Sequence, residues 1–280
     1  MTDVFASHTD PIPPLRHDLE LLPVQEDGED LLLLRDPSGY SEEMLLLRPA
    51  AMALLRFFDG RHSVQALQEG IRNGTGVTVD GAQILDIVQS LDRYHFLAND
   101  RFHQKQEHTD TDYISRDERP AAHAGRSYPE DPEELADFLH ELFDADGGAP
   151  LKGDLLGVLC PHIDLQIGPQ VYVPAFRQLA ASDVDTVVIL GTSHYSYEDL
   201  FILTHKDFVT PLGRMRTDHE FVEMLHEESG GVFTRRDVAH RQEHSIEFPT
   251  VFLQHVFGNN RVRVVPVLCT SFDEYLVEGT

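Results

Sequence analysis

Two continuous apolar runs, "VDTVVIL" (184–190) and "VRVVPVLC" (262–269), constrain this chain most. A strand that is apolar on both faces needs a covering layer on each, as in sheets sandwiched between helices. A third run, "LLGVLC" (155–160), reads the same way. Amphipathic segments alternate with these runs: "DPEELADFLHELF" (131–143), "GPQVYVPAFRQLA" (168–180), "TDHEFVEMLHEE" (217–228) and "HSIEFPTVFLQHVFG" (244–258). Asp131 is placed to cap the first of these, with Pro132 in its first turn, and Gly258 stops the last. The alternation predicts an α/β domain, with a mainly parallel sheet flanked by helices, over 124–280.

The upstream half differs in kind. "DLELLPV" (18–24) and "DLLLLRD" (30–36) read as short strands, with "SGYSEEM" as the turn before "LLLRP" (45–49). Three helices follow: "PAAMALLRFFDG" (49–60) with a stop at Gly60, "SVQALQEGI" (63–71) capped by Ser63, and "VDGAQILDIVQSLDRYHFL" (79–97) capped by Asp80. In the third, Ile84, Ile87 and Leu91 share one face. The pattern predicts a small winged-helix-like unit over 16–105, behind a flexible tail at 1–15. The polar stretch 103–125 has no apolar period, and 106–123 reads as a linker.

Charge narrows the partners. The formal net charge is −26, and residues 1–105 carry 17 acidic against 9 basic side chains. Nucleic acid and anionic membrane both bind through Lys and Arg, so neither is expected as a partner. No apolar run is long enough to span a bilayer, and the N-terminus lacks the pattern of a signal peptide. The two cysteines, Cys160 and Cys269, both fall in apolar runs and suggest no disulfide framework. A cytoplasmic location is the expectation.

Chemistry collects at the carboxyl ends of the apolar runs, where α/β sheets place their sites. "LCPHID" puts His162 and Asp164 past the tip of one strand, and "LGTSHYS" puts His194 past the tip of another. Two imidazoles at neighbouring tips are candidate metal ligands. The "GTS" turn also exposes backbone N–H groups that can orient an oxygen-rich ligand. A third concentration is "AHRQEHSIEFP" (239–249). His240 and His244 are four apart and would share a face if the helix began that early. Arg241 stands where the metalloprotease motif has Glu, so a helix starting at His244 is the better reading. A helix N-terminus keeps that imidazole neutral, and beside Glu243 and Glu247 it suits acid–base work or the orientation of a metal-bound oxygen. A plain capping cluster would also fit. Among the other histidines, His8, His17, His62, His103, His108, His123 and His205 carry no such placement. "GGAPLKGD" (147–154) lacks phosphate-loop spacing.

Two resemblances add to this. "LLLRPAAMALLRFFDGRHSVQAL" followed by "ILDIVQSLDRYHFL" resembles the PqqD-like peptide-binding winged-helix domains, typified by the chaperone of PQQ biosynthesis. It implies a peptide partner for the N-terminal unit, with a structural adaptor as the alternative. "AGRSYPEDPEEL", "PHIDLQIG", "VVILGTSHYS", "TPLGRMRTD", "EHSIEF" and "VVPVLC" resemble, in order, the MEMO family, whose bacterial forms are known as protein B of the AmmeMemoRadiSam system. That resemblance implies a fold similar to class III extradiol dioxygenases, which hold non-haem Fe(II). It matches the family's metal ligands to His162 and His194, and its cleft-lining histidine to His244. Glu243, His244 and Asp164 are then the candidate catalytic residues. Asp164 stands where many members have glycine. The family's later Asp-x-x-His motif and its third ligand, a cysteine in the animal protein, are not present in these 280 residues, so a third protein ligand is not expected and the MEMO-like domain reads as incomplete at its C-terminus. The implied functions are a non-haem Fe(II) or Cu oxidoreductase working with radical-SAM and AMMECR-type partners, a non-catalytic adaptor, or a metal-sequestering protein.

Overall fold

The computed structural model describes residues 3–48, 51, 54–150, 155–196 and 199–272. The chain divides into two compact units, residues 1–112 and 113–280.

The first unit opens with an antiparallel meander of β1 (Glu20–Glu26), β2 (Glu29–Arg35) and β3 (Leu45–Leu47). Helix α1 (Val64–Thr75) begins where the Ser63 side chain accepts from the Ala66 N–H, and α2 (Gly81–Arg93) where Asp80 accepts from Ala82. Their inner faces meet Ile12, Leu34, Phe58 and Phe96 in one core. Within α2, Ile84, Val88 and Leu91 are buried and Ile87 is half-buried. Of the helix expected at 49–60, residues 49, 50, 52 and 53 lie outside the described residues; 51, 54 and 55 are helical.

Two expectations fail here. Residues 11–15 are not a loose tail, because Ile12 is fully buried and its N–H donates to the His62 carbonyl at 2.9 Å. Leu15 is a second anchor: it packs against the same core and its N–H donates to the Phe58 carbonyl at 2.9 Å. The stretch read as a linker is mostly regular: helix α3 runs Asp100–Ile114, and strand β4 covers Glu118–Pro120.

Among the described residues the second unit carries two sheets. β4 pairs in parallel with β7 (Asp207–Thr210), which pairs antiparallel with β8 (Gly213–Met215). The other sheet has the order β5-β10-β6-β9, with β5 at Thr186–Thr192, β6 at Phe201–Leu203, β9 at Phe233–Arg235 and β10 at Arg263–Cys269. β10 is parallel to β5 and antiparallel to β6, and β6 is parallel to β9. This is the α/β class expected, with parallel pairs in the majority. The helices are α4 (Pro132–Asp146), capped by Asp131, α5 (Val173–Ala180), α6 (His219–Glu228) and α7 (His244–Phe257). α7 is buried on nearly every side, as its apolar composition requires. Tyr172 stacks on its Phe252 with ring centres 4.7 Å apart.

The run "LLGVLC" is a further correction. Residues 155–160 form no strand, and Leu156 and Leu159 are fully exposed. Only Leu155 and Cys160 at its ends pack against the core. Apolar composition gives a segment a preference for burial; it does not supply the neighbouring layer. Among the described residues β5 pairs with β10 alone, leaving Val188 and Leu190 exposed on its outer face. Among the described residues no helix is long and apolar enough to cross a membrane.

Candidate metal centre

His194 lies two residues past the end of β5. Its turn is tied to the next strand, because the Ser193 N–H donates to the Cys269 carbonyl on β10 at 2.8 Å. The first turn of α7 lies directly on the same strand end. Ser245 Oγ donates to the Thr192 carbonyl at 2.7 Å. Gly191 permits this approach: a Cβ there would stand 2.6 Å from Ser245 Oγ and 2.7 Å from Ile246 Cγ1. His162 reaches the same place from the irregular segment before the turn at 165–167. That segment is anchored by the Tyr172 hydroxyl, which donates to the Ile163 carbonyl at 2.9 Å.

The ligand atoms of His162, His194 and His244 all lie within 4.8 Å of one another. Their ring centres are 5.1 Å (His162–His194), 5.4 Å (His162–His244) and 4.7 Å (His194–His244) apart. Imidazoles bound at 2.0–2.1 Å to one ion, at tetrahedral or octahedral angles, have ring centres roughly 4.5 to 5.5 Å apart. The residues therefore fit one transition-metal ion. His244, expected as a catalytic group, supplies the third nitrogen that the sequence did not offer. No cysteine joins the group among the described residues; Cys160 and Cys269 are half-buried free thiols.

Glu243 is the organising anion. It caps α7, and its Oε1 accepts from the His244 and Ser245 N–H groups at 2.9 and 3.1 Å. The same oxygen meets His194 Nδ1 at 2.9 Å, and Oε2 accepts the His194 N–H at 2.8 Å. Burial alone would raise its pKa; the hydrogen bonds from His194 and His244 outweigh burial and hold the carboxyl far below its ordinary range. The bond to Glu243 in turn raises the pKa of His194 against the opposing effect of burial. Burial, with His244 and His194 nearby, lowers that of His162, which keeps its lone pair available. The His194 Nδ1–H faces the Glu243 carboxylate and its Nε2 points away from it, the arrangement by which proteins orient histidine ligands.

Asp164 has a different position. Its Oδ2 accepts from Ser127 Oγ at 2.6 Å and its Oδ1 from the Gln166 N–H at 2.8 Å, so the carboxylate builds the loop after His162. His240 does not pair with His244; it is fully buried and its Nε2 meets the Ile202 carbonyl at 3.1 Å. His123 is a residue that the sequence reading passed over. Its ring lies 5.7 Å from that of His244, and its Nε2 meets the Gln242 carbonyl at 2.9 Å. The available signal was its position directly before the "AGRSYP" motif.

Comparison with known proteins gives the family of the chain. Residues 119–278 match the family model for Memo-like proteins. A MEMO1 family protein of Aquifex aeolicus is 33% identical over 244 residues, covering 87% of this chain and 64% of its own. One from Methanopyrus kandleri is 38% identical over 167 residues, covering 56% of this chain and 58% of its own. A memo-1 homologue of Caenorhabditis elegans is 34% identical over 155 residues, covering 55% and 43%. The chain thus spans 43 to 64% of the length of these relatives. The match takes in the histidine trio, Glu243, and both strands that carry the site, and the chain belongs to the Memo-like protein family.

Proposed function

We propose that this chain is a transition-metal protein of the Memo-like family, with His162, His194 and His244 as ligands to Fe(II) or Cu, acting in an oxidoreductase reaction. The observation that carries the reading is the convergence of three imidazoles from three separate segments, with Glu243 fixing one of them. Imidazole donors suit Fe, Cu, Ni and Zn, and three protein nitrogens with further positions left for water or substrate are the pattern of catalytic rather than structural sites. The His194 and His244 side chains keep 34% and 22% of their surface exposed, so a small molecule can reach the centre. Bound Fe or Cu would supply a redox-active Lewis acid. The chain's own residues hold the ligand rings: Glu243 orients His194 and starts the helix that presents His244.

The resemblance to AmmeMemoRadiSam protein B supports radical-SAM and AMMECR-type proteins as partners, and the resemblance of the N-terminal unit to PqqD-like domains supports a peptide ligand there. The test is metal content of the full chain purified anaerobically, beside the His162→Ala, His194→Ala and His244→Ala variants. Near-stoichiometric iron or copper, lost in each variant, is the expected result. Zinc alone would refute the redox reading. Metal that persists in all three variants would refute the site. Tight iron or copper without oxygen consumption would favour sequestration.

A further inference from the structure

Arg119 lies in β4, over 120 residues before the α7 cap, yet its side chain is fully buried beneath that cap. Nε donates to the His240 carbonyl at 3.0 Å, Nη2 to the Glu243 carbonyl at 2.7 Å, and Nη1 to the Pro120 carbonyl at 3.1 Å. Nη1 also pairs with Glu247, which is itself fully buried. Glu247 accepts the Ala122 and His123 N–H groups at 2.9 and 3.0 Å and the Tyr128 hydroxyl.

Burying two charges costs several kcal/mol per ion, and such a pair is weak evidence for stability; its best-attested use is to specify one arrangement. Here the arrangement specified is the turn 240–243. Two of its inward carbonyls are held by one planar guanidinium, a fork that a lysine cannot reproduce. The Glu243 backbone is therefore fixed by Arg119, while its carboxylate holds both the ring and the N–H of His194. We propose that Arg119 is a positioning residue for the metal centre: it sets the ring of His194 through Glu243. The consequence for metal binding rests on the three-histidine reading above; the claim about the ring does not.

The experiment uses the metal-free full chain at mildly alkaline pH. Side-chain 15N shifts report the tautomer of His194, and Co(II) absorption titrations report affinity and ligand field. Wild type is expected to show His194 with Nδ1 protonated. Arg119→Lys is expected to mix the two tautomers, to weaken Co(II) binding by about 10–100-fold, and to shift the d–d bands. Leu139→Ala, a core truncation on α4, is the control: it should lower the melting temperature but leave the tautomer and bands unchanged. A folded Arg119→Lys with wild-type 15N shifts overturns the proposal. If the lysine variant does not fold, Arg119→Met with Glu247→Met, which leaves no charge unpaired, takes its place under the same readouts. Failure of both to fold makes Arg119 a folding residue and overturns the proposal as well. A wild type that shows the expected tautomer but binds no Co(II) supports the positioning claim and refutes the metal reading.

Discussion

Glu243 and His194 are 49 residues apart, and one carboxylate holds both the Nδ1 ring atom and the backbone N–H of the histidine, at 2.9 and 2.8 Å. This double grip fixes the ring's rotation and its tautomer together. It also joins the strand-end loop that carries His194 to the helix that carries His244.

Replacing Glu243 with Gln keeps the size of the side chain but turns one acceptor into a donor. The amide oxygen can then serve either the His194 Nδ1–H and the helix N–H groups, which share Oε1, or the His194 backbone N–H, which meets Oε2, and not both sets at once. Affinity for Co(II) should fall by about 10–100-fold. Loss of the anionic cap should also cost about 1 kcal/mol in urea unfolding. Unchanged Co(II) affinity would mean that the carboxylate serves the helix alone.

Gly191→Ala tests the contact between β5 and α7 independently of any ligand. The added methyl would meet Ser245 Oγ and Ile246 Cγ1 well inside van der Waals distance, and Ile246 is fully buried. Overpacking of this kind costs about 1–3 kcal/mol. The helix should shift away from the strand end, so Co(II) binding should weaken along with stability. A variant as stable as wild type would show that strand and helix can part at this contact without cost.

Burial of His240 makes stability depend on pH. Burial drives its pKa from 6.5 down to about 4, with the bond to the Ile202 carbonyl opposing. The folded pKa lies below the unfolded one, so as pH falls the unfolded chain takes up the proton first. The stability present above about pH 6.5 is lost progressively toward pH 4, at up to 1.36 kcal/mol per pH unit and about 3 kcal/mol at most. His240→Gln cannot titrate and can still donate to that carbonyl. Its unfolding free energy should vary less steeply with pH between 6.5 and 4.5 than that of wild type. Parallel slopes would assign the acid sensitivity to other groups.

The legible parts of this molecule are those whose signal is local. Ser63, Asp80 and Asp131 each cap the helix expected of them, because a cap is decided by the residue itself and the two or three that follow. The start of α7 at His244 was legible for the same reason. Helix α3 was not. Its buried apolar residues are Phe102 and Tyr113, eleven positions apart: three turns separate them on one face, and no window of ordinary length shows a period. His162 and His194 could be placed at segment ends, but bringing His244 to them required knowing that α7 docks on the end of β5. Arg119 and Glu247 are 128 residues apart, and nothing in either neighbourhood names the other.

The stretch 155–160 separates composition from burial most sharply, and one substitution decides between them. Its sequence reads as a core strand, in which a charge at Leu159 would leave an unpaired ion in an apolar interior and cost several kcal/mol. In the structure Leu156 and Leu159 are fully exposed. Leu159→Glu should then change unfolding free energy by no more than about 0.5 kcal/mol, as surface substitutions do. It should also make the chain more soluble, since it breaks an exposed apolar run in a chain that also leaves Val188 and Leu190 of β5 uncovered. A loss of several kcal/mol in urea unfolding would mean that Leu159 is buried in solution, by this chain or by a second copy. Sedimentation at two protein concentrations would tell those two apart, because only the second makes stability depend on concentration.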